Sequence, residues 1–285
     1  MSNQTYWDAA NAASEAAQQR PRILCWVSWG AASVIAAREA LRLFRDTHEV
    51  VLVNCDTRSS EHPDNYRFSQ EAQNWLGWPI KFLKSDQFTD VDAVFVGTSY
   101  MSGPDGARCT VELKKKMRHQ FATPDDIHVW GFTAEEWKRC RDFQKRNPDM
   151  HNLFILPALG ITHADCLERI AAAGIRLPRM YELGFDNNNC PGCVKASSPW
   201  YWAHVREHFP EVFARRCNLS RALGVRLVQA TNECVKRLAP GVVPLGDKRR
   251  IFLDELPAGA FKKGRGENLS CGPECGVTPP KEQDA

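Results

Sequence analysis

Five cysteines have company that could do chemistry. Cys190 and Cys193 form C-P-G-C, preceded by three asparagines and followed closely by Lys195. Two thiolates two residues apart, with glycine between them, suit a tetrahedral metal or an iron–sulfur site. The same spacing serves redox dithiols, but that motif opens a helix directly after a strand. Here it lies in a polar loop far from the first strand–helix unit, so ligation is the better reading. Two ligands do not close a site. Cys109, in "GARCTVELKKK", starts a helix in a basic setting (Arg108, Lys114, Lys115, Lys116), where a thiolate is stabilised. Cys271 and Cys275 form a second close pair in "SCGPECG", from which a fourth ligand can come.

A second constellation sits near the start. In "RILCWVSWGAASVIAAREAL" (22–41) an apolar run breaks at Ser28, passes through small residues to Ser33, and resumes at helical spacing. The form is S-x-G-x-x-S. Ser28 and Ser33 carry hydroxyls, Gly30 lets the backbone approach an anion, and the following helix offers unpaired N–H groups. Small residues here also serve close strand–helix packing, so this spacing alone is weak. Other candidates are weaker still. "RCTVELKKKMRH" reads as a phosphate or nucleic-acid contact surface or, more simply, as a solvated lysine face. His62, His119 and His128 lack ligand spacing. Trp200, Tyr201 and Trp202 could stack a base, though aromatics beside a helix start are usually core.

The elements that must position these residues alternate. Strands are expected at 22–28, 49–57 ("EVVLVNCDT"), 79–86, 125–133 and 152–159. Helices are expected at 33–45, from His62-Pro63 to Gly77, over "TVELKKKMRHQF", and over 161–175 with Thr162 as N-cap and Gly174 as stop. This alternation indicates an α/β fold with a doubly wound parallel sheet, which binds ligands at the carboxyl ends of its strands. Ser28 to Ser33 and Asp56-Thr57 fall on that edge. The division expected is a flexible segment 1–20, an α/β domain 21–180, a cysteine loop and helical region 181–239, and a glycine- and proline-rich, loosely ordered tail 240–285.

Bulk properties exclude little. At 285 residues, 43% hydrophobic and 25% charged, the composition is ordinary for a globular protein, and a net charge of +3 does not argue for nucleic acid or membrane. No apolar run approaches the ~20 residues of a membrane span, and no export signal is seen, so a cytoplasmic location is expected. Eleven cysteines should then not form a disulfide framework. Cys25, Cys55 and Cys166 read as small core residues, and Cys140, Cys217 and Cys234 as helix residues.

Taken in order, "SWGAAS", "DTRSSEHPDNYRF", "RCTVELKKK", "NCPGC" and "ECGV" resemble motifs of the phosphoadenylyl-sulfate (PAPS) reductase family, in the PP-loop adenine-nucleotide α-hydrolase-like superfamily. The likeness covers roughly residues 20–200 plus the tail. It implies a Rossmann-like fold with a cysteine-containing C-terminal extension. It also implies an adenine nucleotide (PAPS, APS or ATP) bound at Ser28, Gly30, Ser33, Asp56 and Thr57. A [4Fe–4S] cluster would sit on Cys109, Cys190 and Cys193, with Cys271 as a fourth ligand. Cys275 would attack the sulfonucleotide sulfur, with Arg108 and Lys195 supplying positive charge. A thioredoxin-type electron donor and a homo-oligomer are compatible partners. Where the superfamily's ATP pyrophosphatases carry S-G-G-x-D-S, this chain has Trp29 for a glycine and Ala32 for the aspartate. Arg108 stands in place of the reductase's first cysteine, and Thr278 in place of its final histidine. Two competing readings follow. One is a nucleotide-dependent sulfurtransferase acting on tRNA or DNA. The other is a non-catalytic nucleotide-binding protein with structural zinc on the same cysteines and the Trp29 indole blocking the loop.

Overall fold

The structure, a computed structural model, describes residues 20–103 and 106–264. Its centre is a five-stranded sheet of β1 (Arg22–Trp26), β2 (Glu49–Cys55), β3 (Ile80–Leu83) and, after a short antiparallel hairpin of β4 (Ser102–Gly103) and β5 (Gly106–Ala107), β6 (Ile127–Val129) and β7 (His151–Leu153). The order β3-β2-β1-β6-β7 and the parallel pairing throughout make it the expected doubly wound α/β sheet. The chain reverses direction between β1 and β6, so the switch-point crevice opens at the carboxyl end of β1. β1 is buried at four of its five positions, as the central strand of a sheet covered on both faces must be.

Two apolar clusters cover the two faces. One joins Ile23, Cys25, Val34 and Ile35 to Phe68, Leu156 and Ile170. The other joins Leu24, Trp26 and Val53 to Trp130, Phe132 and Phe143. A third cluster draws on both sides of residue 180: Val94, Phe95 and Met101 pack with Tyr201, Trp202, Val228, Ile251 and Leu253. The helix Val91–Thr98 and the hairpin thus share a core with the C-terminal region.

Several elements differ from the sequence reading. The fifth strand stops at Leu153, and "ILPA" forms a helical turn (Ile155–Ala158), since Pro157 has no N–H for a ladder. "TVELKKKMRHQF" is not one regular helix. An α-turn (Arg108–Thr110) is followed by a π-helical turn (Val111–Lys115) and only then by α-helix (Lys116–Phe121). Glu112, Leu113, Lys114 and Lys115 are all buried, which a solvated lysine face or an external nucleic-acid contact would not allow. Tyr201 and Trp202 are core. The loose tail expected from 240 gives way over 250–261: β8 (Val228–Gln229) pairs with β9 (Arg250–Ile251), and Ile251, Leu253, Leu256 and Phe261 are buried. Arginines clamp it. Arg206 donates to the carbonyls of Leu256 (3.0 Å) and Pro257 (2.8 Å), and Arg221 pairs with Asp254 and Glu255. Among the described residues no helix is long and apolar enough to cross a membrane. Residues 1–19, and with them nearly all of the expected flexible segment 1–20, lie outside the described residues.

One core group is titratable. His128 on β6 packs against the indoles of both Trp26 and Trp130 (centroids 6.0 and 5.6 Å), and its Nδ1 accepts from Trp26 Nε1 at 3.0 Å. Burial, with Arg118 nearby, pushes its pKa down from 6.5 to about 4. The folded protein therefore declines a proton that the unfolded chain accepts between these values. Its contribution is fully present above pH 6.5 and is lost as pH falls towards 4, by about 3 kcal/mol for that gap. Urea unfolding from pH 7.5 to 4.5 should show this slope, and His128→Gln should flatten it. An unchanged slope in the variant would remove His128 as the cause.

Candidate functional site

β1 ends into a loop that is already internally bonded. The Ser33 hydroxyl donates to the Gly30 carbonyl (2.8 Å) and accepts from the Ser28 N–H (3.0 Å). The helix Ala31–Phe44 starts here, and its first N–H, on Ala31, donates to the Tyr181 hydroxyl at 3.3 Å. Burial raises that phenol to about 12, so it stays a neutral cap. Trp29 holds φ +60°, the left-handed region that glycine takes without cost and other residues visit at about 1–3 kcal/mol. Its indole is fully buried, stacks on Phe82 at 6.2 Å, and faces the core. Gly131, just past β6, lies so close that a Cβ there would fall 2.8 Å from the Ser33 backbone. The switch point is packed to backbone contact.

The segment after β2 is tied to the same loop. Asp56 is largely buried, which alone would raise its pKa, but Arg58 holds it through both carboxylate oxygens (2.8 and 2.9 Å) and lowers it overall. That carboxylate is committed to shaping the turn, whereas the sequence reading turned it towards a nucleotide. The Thr57 hydroxyl donates to Glu61 (2.7 Å), which accepts from Asn65 Nδ2 (2.8 Å). Asn188 Nδ2 completes the chain, donating to Asn65 Oδ1 (2.8 Å) and to the Trp29 carbonyl (2.7 Å). One network thus runs from Thr57 through the helix Asp64–Leu76 to "NNNC" and back to the loop after β1.

The cysteine loop is fixed from the C-terminal helices. The Cys193 N–H donates to the Tyr201 hydroxyl at 2.8 Å, and Arg216 Nε donates to the Gly192 carbonyl at 3.1 Å while its other arm pairs with Asp92. Gly192 holds φ +68°, and a Cβ there would strike Val212 at 2.8 Å. Cys109, Cys190 and Cys193 line one cavity together with Thr57, Thr110, Lys114 and Arg216, its remaining wall being apolar. The buried Thr110 hydroxyl lines it without a partner among the described residues. Burial pushes the thiols of Cys140 and Cys217 up to about 11 and of Cys166 to about 12, and raises Cys25 too. Cys25, Cys140 and Cys166 are core thiols, and Cys217 packs half-buried against the core.

A second, polar cavity opens at the carboxyl ends of β1 and β2, where Ser28, Asn54, Cys55, Glu61 and Lys114 are among its lining residues. Asn54 is 2% exposed; its Nδ2 donates to the Val27 carbonyl, but its Oδ1 has no partner among the described residues. Lys114, presented by the π-helical turn, lines both cavities.

The structure therefore brings Ser28, Thr57, Cys109, Cys190 and Cys193 to one edge of the sheet. Gly30 and Ser33 shape the loop there. Arg108 is part-exposed and pairs with Glu112 at 2.9 Å, and Lys195 is half-buried just past the cysteine loop. Cys271 and Cys275 lie outside the described residues. Lys114, Tyr181, Asn188, Tyr201 and Arg216 carry no spacing signal, since their partners are distant in sequence. Only the unbroken "NNNCPG" run hints at Asn188. No protein-family model matches this chain, and no curated protein matches it.

Asn188→Ala would strand two buried acceptors, the Trp29 carbonyl and Asn65 Oδ1. We expect a loss of about 2–4 kcal/mol in urea unfolding. A loss below about 0.5 kcal/mol, the usual scale of surface changes, would mean the network does not hold the loop.

Proposed function

We propose that this chain is a nucleotide-binding enzyme of sulfur chemistry, of the sulfonucleotide (PAPS or APS) reductase kind. The observation that carries the reading is the shared lysine. A polar cavity at the carboxyl ends of β1 and β2 and a thiol-lined cavity meet at Lys114. An anionic nucleotide group in the first would lie beside whatever the cysteines hold in the second.

The residues fit an iron–sulfur group. Three thiols face one apolar cavity, Lys114 and Arg216 offset negative charge beside it, and the Thr110 hydroxyl is there to donate to a sulfide. Cys109, Cys190 and Cys193 would hold a [4Fe–4S] cluster, which supplies electron-transfer or Lewis-acid chemistry when bound. The protein's own part is binding and positioning. Ser28, Asn54 and Lys114 would receive the anion, with Lys114 as its cation. Because Tyr181 already satisfies the Ala31 N–H, the anion sits nearer Lys114 and Ser28 than the helix axis. The low-dielectric walls strengthen each such contact. Cys275 would be the nucleophile. The buried, core-facing Trp29 indole lines neither cavity, which removes the main support for a blocked, non-catalytic loop.

Three measurements test this. Anaerobically purified protein should contain about four irons and four acid-labile sulfides per chain, lost in Cys190→Ala. Stoichiometric zinc without sulfide would overturn it. Titration of PAPS and APS against Lys114→Ala should show roughly ten- to a hundredfold weaker binding, the scale of one hydrogen bond to a charged group. Unchanged affinity would move the anion site elsewhere. Pyrophosphate release from ATP with tRNA or DNA present, and no sulfonucleotide binding, would favour sulfur transfer instead.

A further inference from the structure

We propose that His204, Glu207 and His208 form a site for a divalent transition-metal ion, Zn²⁺ foremost, separate from the cysteine cavity and independent of the reading above. The three lie on one face of the helix Pro199–His208 at i, i+3 and i+4, the spacing that stacks side chains over successive turns. One ligand atom from each lies within 4.8 Å of the other two.

The geometry is more specific than a charged helix face. His204 Nε2 lies 2.6 Å from the Leu183 carbonyl, which can only accept, so Nε2 carries the proton and Nδ1 keeps its lone pair. A ligating imidazole is characteristically held this way, its second nitrogen donating to a carbonyl that fixes tautomer and orientation. The His204 ring is also held by Trp200 (4.9 Å, stacked) and Phe185 (4.7 Å), so little rotamer freedom remains to be lost on binding. Its Nδ1 stands 4.0 Å from Glu207 Oε2, and the His208 ring lies 4.3 Å away, edge-on.

A gap of 4.0 Å exceeds a hydrogen bond. Nitrogen and oxygen donors bonded at about 2.0–2.2 Å around a tetrahedral ion stand roughly 3.4 Å apart, within a small side-chain adjustment of what is present. Two imidazoles and one carboxylate suit Zn²⁺, Co²⁺ or Ni²⁺ better than Ca²⁺ or Mg²⁺, which prefer all-oxygen sites. Three protein ligands leave a position open. An open cavity lies alongside, with Trp200, His204 and Glu207 on one wall and Gly259–Phe261 on another, so water or a small anion can reach the ion. The same helix carries Tyr201, whose hydroxyl holds the Cys193 N–H. An ion here would therefore stiffen the support of the cysteine loop.

The test titrates CoCl₂ into the purified full chain and into His208→Ala and Glu207→Gln. Both changes are on the helix's accessible side, and far-UV circular dichroism checks that the fold is kept. Wild-type protein should bind one Co²⁺ with visible d–d bands and no thiolate charge-transfer band, which sets this site apart from the cysteines. Both variants should weaken that event at least about tenfold. Absence of a thiolate-free cobalt spectrum in wild type, or equal affinity in His208→Ala, would overturn the proposal.

Discussion

The amide of Asn188 is the contact on which the site depends. It donates at once to the Trp29 carbonyl and to Asn65, both buried. Without it, the loop after β1, the helix Asp64–Leu76 and the asparagine run ahead of Cys190 would each end in unpaired backbone or amide groups in a dry interior. A buried acceptor left unpaired costs more than a made bond gains. The three segments are therefore held in one arrangement, and the distance between the switch-point loop and the cysteine loop is set by short polar bonds rather than by apolar packing alone. Its own Oδ1 has no partner among the described residues, which places a spare buried acceptor in the middle of the network.

Charge is the second constraint. Glu112, Lys114 and Arg216 are all less than a tenth exposed, although desolvating an ion costs several kcal/mol unless it is paired. Glu112 is paired twice, by Arg108 at 2.9 Å and Lys116 at 2.5 Å, and Arg216 by Asp92 and the Gly192 carbonyl. The π-helical turn makes this possible. By widening the coil over Val111–Lys115 it turns four consecutive side chains inward, Lys114 among them. Such turns are uncommon and frequent at functional sites, because they spend helix regularity on the placement of a side chain. Here the placement puts one ammonium on the wall of both cavities.

The sheet was legible in the sequence because its signals are local. Apolar runs ending in Ser28 and Asp56, the His62-Pro63 start and Gly77 stop of one helix, and the Thr162–Asp165 capping box of another each lie within a few residues. The cysteines that face one cavity were legible too, since thiols in a polar loop and at a basic helix start are unusual. What positions them was not. Tyr181 caps Ala31 from 150 positions away, and Asn188 reaches Trp29 across 159. Gly131 fell unremarked inside the strand expected over 125–133, yet its hydrogen is all that fits against Ser33. The π-turn escaped because lysine spacing alone suggests a solvated face. The segment 250–261 escaped because its clamps are arginines on other elements.

Trp29 shows how the loop after β1 accommodates a bulky side chain. Position 29 needs a positive φ whatever residue stands there, because the chain must turn from β1 into the helix Ala31–Phe44 within a few residues. A tryptophan meets that demand at a strain of about 1–3 kcal/mol. Two local terms offset it. The carbonyl that the turn directs inward is captured by Asn188. The indole, thrown to the core side by the same backbone conformation, is fully buried against Phe82, and burial of a side chain that size stabilises by about as much as the strain costs. The indole nitrogen remains without a partner among the described residues, so the balance is incomplete, and the residual cost falls on the loop itself. A loop held in this way keeps its backbone shape while its side chain serves the core, and Ser28, Asn54 and Lys114 are left to line the cavity beside it.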